Sequence, residues 1–171
     1  MSDHRQLTAK EVRNSIMRCF AVKRPAFIWG PPGIGKSELV EGITKDLGGA
    51  MYDLRLGQME PTDIRGIPYY NKDAQVMDWA QPVDLPQGEQ LVIDAIAAGQ
   101  IEIEAETGTK ISDLPVVVLF LDEMNSAPPS VLAAAYQLIV NRRVGKYKQP
   151  DPVVMFAAGN RARDKGDTFR K

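Results

Sequence analysis

The stretch Phe27-Ile-Trp-Gly-Pro-Pro-Gly-Ile-Gly-Lys-Ser37 decides the fold of this chain. The short apolar run 26–29 predicts a buried β-strand, and a helix-forming segment begins directly after the stretch. Between them, the pattern G-x-x-x-x-G-K-[ST] is filled at every fixed position by Gly30, Gly35, Lys36 and Ser37. A strand, a glycine loop and a helix in this order are typical of a phosphate-binding site, because backbone N–H groups converge on an anion at the positive end of the helix.

Eight consecutive residues are expected to bind the phosphates of a nucleotide, namely Gly30, Pro31, Pro32, Gly33, Ile34, Gly35, Lys36 and Ser37. Lys36 is expected to reach the β- and γ-phosphates, and the hydroxyl of Ser37 is expected to bind Mg²⁺. The alternative is a glycine-rich turn that only caps a helix. The complete set of fixed positions, together with the preceding strand, favours the phosphate site.

The composition of the chain excludes several functional classes. Its 171 residues are about one domain in length, and 44% hydrophobic and 25% charged residues are ordinary for a globular protein. A net charge of -1 gives no indication of nucleic acid or an anionic membrane as a partner. With one cysteine, Cys19, and one histidine, His4, the chain can form no internal disulfide, no His–Cys metal site and no Ser–His triad. No apolar run could span a bilayer and no signal peptide is evident, so we expect a cytoplasmic domain.

Strands and helices are expected to alternate along the chain. A capping-box pattern at Thr8 and Glu11 predicts a first helix to about Val22. Strands are predicted over 51–56, 100–106, 116–121 and 153–158, further helices over 36–47, about 84–99 and 126–140, and a hairpin over 143–153. The regions 57–86 and 161–171 are predicted to be irregular. This alternation predicts an α/β protein with three layers.

Polar residues follow two of the predicted buried strands. Asp122 and Glu123 come directly after strand 116–121, and Asn160 ends strand 153–158. In parallel α/β sheets ligands bind at the carboxyl ends of the strands, where the phosphate loop also lies. We therefore expect Asp122 to bind Mg²⁺, Glu123 to accept a proton from an attacking water and Asn160 to orient that water or contact the γ-phosphate. The alternative for each is an ordinary polar residue at the end of a strand.

Three segments resemble the Walker A, Walker B and sensor 1 motifs of AAA+ ATPases. They are Gly-Pro-Pro-Gly-Ile-Gly-Lys-Ser at 30–37, Leu-Phe-Leu-Asp-Glu-Met-Asn at 119–125 and Phe-Ala-Ala-Gly-Asn at 156–160. Segments 58–68, 125–129 and 136–145 are similar to the MoxR-type branch of that family. The resemblance implies the P-loop NTPase fold, which is a three-layer αβα sandwich with a mainly parallel central sheet.

The same resemblance implies an activity and an assembly. ATP, bound with Mg²⁺, is expected to be hydrolysed by a homo-oligomeric ring, a hexamer in the family, that remodels a protein client. A pre-sensor-1 insertion is expected in the hairpin 143–153, and a helix-2 insertion facing the ring pore is expected within 57–99.

Family members continue past sensor 1 to an arginine finger, a fifth core strand and a helical lid. Residues 1–171 are therefore expected to be an AAA+ core that is incomplete at its C-terminus. The arginines of the tail, Arg161, Arg163 and Arg170, do not lie in the motif expected for the finger. Because such an arginine is worth about 10³–10⁵ in rate, weak hydrolysis is expected from the isolated chain.

Two other functional classes use the same kind of loop. One is a nucleotide-dependent assembly or binding switch with little turnover, and the other is a P-loop kinase acting on a small molecule. The assignment of Glu123 as a water-activating base disfavours the kinase. The near-neutral charge disfavours a nucleic-acid motor, and the basic residues Arg142, Arg143, Lys146 and Lys148 are more typical of a solvated or subunit-facing surface.

Overall fold

A computed structural model describes residues 6–97 and 116–160 of the chain. The helices of these two ranges are α1 (Ala9–Ala21), α2 (Lys36–Asp46), α3 (Pro61–Arg65), α4 (Gly88–Ala97) and α5 (Pro129–Asn141). The strands are β1 (Ala26–Trp29), β2 (Ala50–Arg55), β3 (Ile67–Asn71), β4 (Val76–Ala80), β5 (Val117–Asp122), β6 (Arg143–Val144), β7 (Tyr147–Lys148) and β8 (Val153–Gly159). The predicted capping box is present at the start of α1, where Glu11 N–H donates to Thr8 Oγ1 at 3.3 Å.

Four of these strands form a parallel sheet in the order β1-β8-β5-β2. In its register Trp29 pairs with Gly159, Leu121 pairs with Ala157 and Arg55 pairs with Asp122. The carboxyl ends of the four strands therefore lie along one edge of the sheet, which is where the phosphate loop and the polar strand ends were predicted to meet.

Alternate residues of β5 belong to two hydrophobic clusters, one on each face of the sheet. Val118 and Phe120 pack with residues of α1 and α2, whereas Leu119 and Leu121 pack with residues of α3, α4 and α5. All four side chains are at most 1% exposed. A sheet buried on both faces by helices is the three-layer αβα sandwich of the P-loop NTPases, so the predicted fold class is confirmed.

The prediction that strand 26–29 is buried is wrong for two of its residues. Ile28 is 9% exposed, but Phe27 and Trp29 are 38% and 51% exposed, with their ring centroids 4.4 Å apart. The physical reason is that β1 is an edge strand of the described sheet. Its residues contribute to the cluster beneath α1 and α2, and none of them belongs to the described cluster beneath α5.

The prediction that residues 57–86 are irregular is also wrong. This region contains α3 and an antiparallel hairpin of β3 and β4. The hairpin was missed because its apolar side chains are not sorted into a buried and an exposed face: Ile67, Tyr70 and Met77 are 60%, 56% and 62% exposed. The second hairpin, β6 and β7, forms where the sequence predicts one, and an ion pair between Asp78 and Lys146 joins the two hairpins.

Two predicted segments, the strand 100–106 and the terminal loop 161–171, lie outside the described residues. Within 6–97 and 116–160, no helix combines the length and the apolar character that a membrane span requires.

Candidate functional site

Residues 30–37 lead from the end of β1 into the first turn of α2. Gly33 and Gly35 both have φ of +76°, a left-handed conformation that strains any residue with a Cβ. Gly35 is the N-cap of α2 and has no side chain that could bond to the N–H groups of the first helical turn. Those N–H groups are therefore available to an anion in the loop, at the positive end of the helix dipole.

The ammonium group of Lys36 lies between the loop and the end of β8. Its Nζ donates to the carbonyl oxygens of Gly30 at 3.1 Å and Pro31 at 2.9 Å, and to Oδ1 of Asn160 at 2.9 Å. These bonds use all the N–H donors of an ammonium group. Two residues predicted separately as phosphate ligand and sensor are thus in direct contact, although 124 positions separate them.

Asp122 and Asn160 each come two residues after a strand residue whose side chain faces α1 and α2. Phe120 precedes Asp122 by two residues and Ala158 precedes Asn160 by two residues, and both pack in the cluster beneath these helices. Since side chains alternate along a strand, Asp122 continues the row of Phe120 toward the beginning of α2. Its Oδ1 accepts the backbone N–H of Glu123 at 2.7 Å.

Glu123 leaves the strand in a different direction. Its backbone has φ 54° and ψ 31°, which is left-handed, and a short 3₁₀ turn from Met124 to Ser126 follows. A Cβ placed on Gly57 would lie 2.9 Å from Oε2 of Glu123, so this carboxylate lies against the turn that follows β2. The Glu123 carboxylate therefore lies beside the turn after β2, whereas Asp122 continues the row of Phe120.

Asp53 lies close enough to Asp122 for their charges to interact, a neighbour that the sequence did not predict. Partial desolvation raises the pKa of its carboxyl above the ordinary value, the negative charges of Asp122 and Glu41 raise it further, and Arg55 opposes them. The alternating pattern of β2 indicates which way Asp53 faces. Tyr52 and Leu54 face the core, so Asp53 lies on the opposite face of the strand. Its approach to Asp122 depends on strand register, which the sequence does not state.

Asn125 lies in the segment that resembles Walker B, but no sequence pattern indicates a role for its side chain. Its Nδ2 donates to the backbone carbonyl of Asn160 at 2.8 Å, and its Oδ1 accepts the backbone N–H of Asn160 at 2.9 Å. Asn125 therefore bridges the turn after β5 and the end of β8.

A cavity of about 440 Å³ lies beside the phosphate loop, between α1 and β1. Most of its wall is apolar. The loop contributes Gly30, Pro31 and Ile34, and α1 contributes Val12, Ile16 and Cys19. This position and lining suit a flat, weakly polar group attached to phosphates in the loop.

The metal-binding capacity of the site is limited. Among residues 6–97 and 116–160, no group of three or more His, Cys, Asp and Glu side chains could hold a metal ion. The Ser37 hydroxyl and the Asp122 carboxylate are hard oxygen ligands, which fit Mg²⁺, but further oxygens must come from phosphate or water. The arginines predicted in the tail lie outside the described residues.

The phosphate loop after an edge strand of a parallel sheet, together with acidic and amide side chains at the neighbouring strand ends, defines a P-loop nucleotide-binding domain. The sequence profile of the AAA domain, dynein-related subfamily, matches residues 25–168. The chain belongs to this family, and the AAA+ resemblance inferred from the three motifs is confirmed.

Solved structures share this fold at low sequence identity. The chain is similar over 90% of its length to a protein of Cytophaga hutchinsonii ATCC 33406 described as a candidate ATPase, with 16% identity and a TM-score of 0.53. It is similar over 96% of its length to NtrX from Brucella abortus in complex with ADP, with 17% identity and a TM-score of 0.50. The chain spans 39% and 32% of these two proteins. A comparison with curated protein sequences gives no significant match.

Proposed function

We propose that this chain binds ATP together with Mg²⁺ and hydrolyses ATP to ADP and phosphate. The observation that carries the proposal is the contact of Lys36 with Asn160 at the sheet edge where Asp122 and Glu123 also emerge. Membership of the AAA family and the ADP bound to the NtrX neighbour support a nucleotide as the ligand.

The loop 30–37 binds the phosphates in this proposal. Nζ of Lys36 exchanges its contacts with the Gly30 and Pro31 carbonyls for phosphate oxygens, which are stronger acceptors because they are charged. The first-turn N–H groups of α2 bind phosphate at the helix N-terminus. Asn160, already in contact with Lys36, then lies beside the terminal phosphate.

Ser37 and Asp122 are the residues that would hold Mg²⁺. Their hydroxyl and carboxylate oxygens match the preference of this ion, which usually completes its shell with phosphate oxygens and water. When bound, the ion neutralises charge on the phosphates.

Glu123 is the proposed base for the attacking water. Its carboxylate takes the proton as the water oxygen bonds to the terminal phosphorus and the bond to ADP breaks. Asn160 orients the water or the terminal phosphate, and as a neutral amide it competes neither for the proton nor for the metal.

The cavity between α1 and β1 is the proposed site of the adenine base. It adjoins the loop through Gly30, Pro31 and Ile34, and its apolar wall suits a flat aromatic ring system.

Two substitutions test the proposal. Glu123→Gln keeps the size and shape of the side chain but removes the base, so ATP affinity should stay within about twofold while kcat falls at least about 100-fold. Lys36→Ala removes the phosphate contact and should abolish nucleotide binding, whereas Lys45→Ala, at the exposed end of the same helix, should leave both unchanged. Phosphate release and calorimetric titration measure the two quantities.

The same assays separate the proposal from its alternatives. Equal hydrolysis by the wild-type chain and Glu123→Gln would refute the assigned base. Tight ATP binding without turnover in the wild-type chain would favour a nucleotide-dependent switch, which the Lys36–Asn160 contact also permits because a bound phosphate must rearrange it. Phosphate transfer to a small molecule rather than to water would favour a kinase.

We further propose a MoxR-like, ring-forming remodelling ATPase that acts on a protein client in the cytoplasm. The described surface supports a binding role, because the hairpin of β3 and β4 exposes Ile67, Tyr69, Tyr70, Val76 and Met77. Sedimentation of this chain and of its full-length form, with and without Mg²⁺–ATP, tests ring formation, and persistent monomers of the full-length form under both conditions would contradict it.

A further inference from the structure

We propose that Asn125 is a positioning residue for ATP hydrolysis. Its side-chain amide fixes the backbone of Asn160 and, through it, the side chain that contacts Lys36. The inference rests on the proposed function, since it assigns a role within the same site. Asn125 acts on other site residues and does not itself take part in bond making.

The hydrogen bonds determine the orientation of the amide. Nδ2 can only donate, and it faces the carbonyl oxygen of Asn160 at 2.8 Å, while Oδ1 can only accept, and it faces the N–H of Asn160 at 2.9 Å. A side chain that both donates and accepts at this spacing forms hydrogen bonds with both backbone polar groups of one residue. Among side chains with the length and shape of asparagine, the protonated carboxyl of aspartic acid offers the same pair of functions.

The turn that carries Asn125 is itself anchored. Met124 is 2% exposed and packs in the core beneath α5, so the neighbouring Asn125 is held at the surface next to β8. The N–H of Ser126 donates to the carbonyl of Glu123 at 2.8 Å, which closes the turn. The position of the amide is therefore set by a buried neighbour and a closed backbone turn.

Gly159 makes the close approach possible. A Cβ at this position would lie 3.0 Å from Oδ1 of Asn125 and 2.9 Å from Cζ of Phe27. The Asn125 side chain thus occupies space beside β8 that a larger residue at 159 would need. The absence of a Cβ at Gly159 therefore lets the amide approach the backbone beside Asn160 closely.

The bridge has a mechanistic consequence because the same turn carries Glu123. The proposed base lies at one end of the turn, and Asn125 connects the turn to Asn160, the proposed water- or phosphate-orienting residue directly after β8. The placement of Asn160 relative to Glu123 therefore depends on the two amide hydrogen bonds, whereas Lys36 is also held within its own loop by the carbonyls of Gly30 and Pro31. Small displacements of orienting groups reduce catalytic rates strongly, while the phosphate loop that binds the nucleotide does not depend on this bridge.

The test compares Asn125→Ala and Asn125→Asp with the wild-type chain and with Asn141→Ala, an exposed asparagine at the end of α5. Asn125→Ala should lower kcat about 10- to 100-fold and leave the affinity for ADP within about twofold. Asn125→Asp should be equally slow at neutral pH, because a carboxylate cannot donate to the Asn160 carbonyl. Its kcat relative to wild type should recover as the pH falls and the carboxyl is protonated, since the protonated group again donates and accepts.

A second measurement does not depend on turnover. In the wild-type chain the Asn160 amide hydrogen is bonded to Asn125, so its exchange with solvent should be slow, and Asn125→Ala should accelerate it at least about tenfold. Asn141→Ala should change neither the exchange rate nor kcat. If the wild-type chain does not hydrolyse ATP, the proposed function fails, but the exchange rate still decides whether the bridge exists.

Three results would overturn the inference. The first is a wild-type kcat in Asn125→Ala. The second is a loss of ADP affinity and thermal stability as large as the loss of kcat, which would identify a merely structural residue. The third is an unchanged exchange rate at Asn160 in Asn125→Ala.

Discussion

At the scale of single residues, the candidate site contains a backbone conformation that costs free energy. Glu123, with φ 54°, is in the left-handed region although it has a side chain. Such a conformation costs on the order of 1 kcal/mol and persists only where surrounding structure imposes it. Here the Glu123 carboxylate lies against Gly57, and the turn that follows brings Asn125 back to the end of β8.

Asp53 gives the residue-scale prediction for pH dependence. Because its pKa is raised in the folded chain, the ionised carboxyl destabilises the fold above that pKa, and the cost vanishes below the unfolded value near 3.8, where both states are protonated. Asp53→Asn mimics the neutral form. It should therefore raise the free energy of unfolding at pH 7 and make no difference at about pH 3.

Urea denaturation over this pH range measures the effect. The gain at pH 7 should be smaller in an Asp122→Asn background, because one of the charges that raises the pKa has been removed. Equal stability of Asp53→Asn and wild type at pH 7 would show that the carboxyl is not destabilised by its surroundings.

At the scale of secondary-structure elements, Tyr147 connects the β6–β7 hairpin to the segment that precedes α4. Its side chain is 2% exposed, and its hydroxyl donates to the buried carbonyl of Pro86 at 2.9 Å. Tyr147→Phe leaves that carbonyl without this donor and should lower the free energy of unfolding by about 1–3 kcal/mol. Tyr136→Phe is the matched control, because Tyr136 is 56% exposed on α5 and should tolerate the change. Urea unfolding curves that coincide for Tyr147→Phe and wild type would contradict the assigned bond.

The elements of the parallel sheet were predictable because their signals are local. Strands β5 and β8 are continuous apolar runs, and burial on both faces requires that pattern. The hairpin β3–β4 was not predictable by the same means, because its stability depends on cross-strand pairing while its apolar side chains remain exposed. Burial of β1 was overestimated for the related reason that composition does not reveal which strand lies at an edge.

Some contacts of the candidate site were also predictable from the sequence, and others were not. The meeting of Lys36 with Asn160 followed from the rule that parallel strands end at one edge of the sheet. The approach of Asp53 to Asp122 and the bridge from Asn125 to Asn160 did not follow, because they depend on register and on the path of a turn. Strand register and the path of a turn are properties of the tertiary structure, and the polar residues involved form no recognisable sequence pattern.

At the scale of the whole molecule, the site offers few protein ligands for a metal and many groups for phosphate. In the described ranges no cluster of three or more acidic, His or Cys side chains could bind a cation alone. Mg²⁺ should therefore associate with the chain only together with a nucleotide, whose phosphates supply the missing oxygens.

Thermal unfolding tests this dependence. ADP with Mg²⁺ at about 100 times the dissociation constant should stabilise the fold by about 2.7 kcal/mol. For a chain of this size, that corresponds to an increase in Tm of about 5–10 °C. Mg²⁺ alone should not change Tm, because a hydroxyl and a single carboxylate cannot replace the hydration shell of this ion.

Two lysine variants show whether the increase in Tm comes from binding at the loop 30–37. Lys36→Ala should lose the ADP-dependent increase in Tm, and Lys45→Ala should retain it, so each shift is measured against that variant's own nucleotide-free Tm. An equal shift in Lys36→Ala would mean that nucleotide binds somewhere other than the loop 30–37. A shift with Mg²⁺ alone would mean that a metal site exists independently of nucleotide, and the roles proposed for Ser37 and Asp122 would then have to be assigned elsewhere.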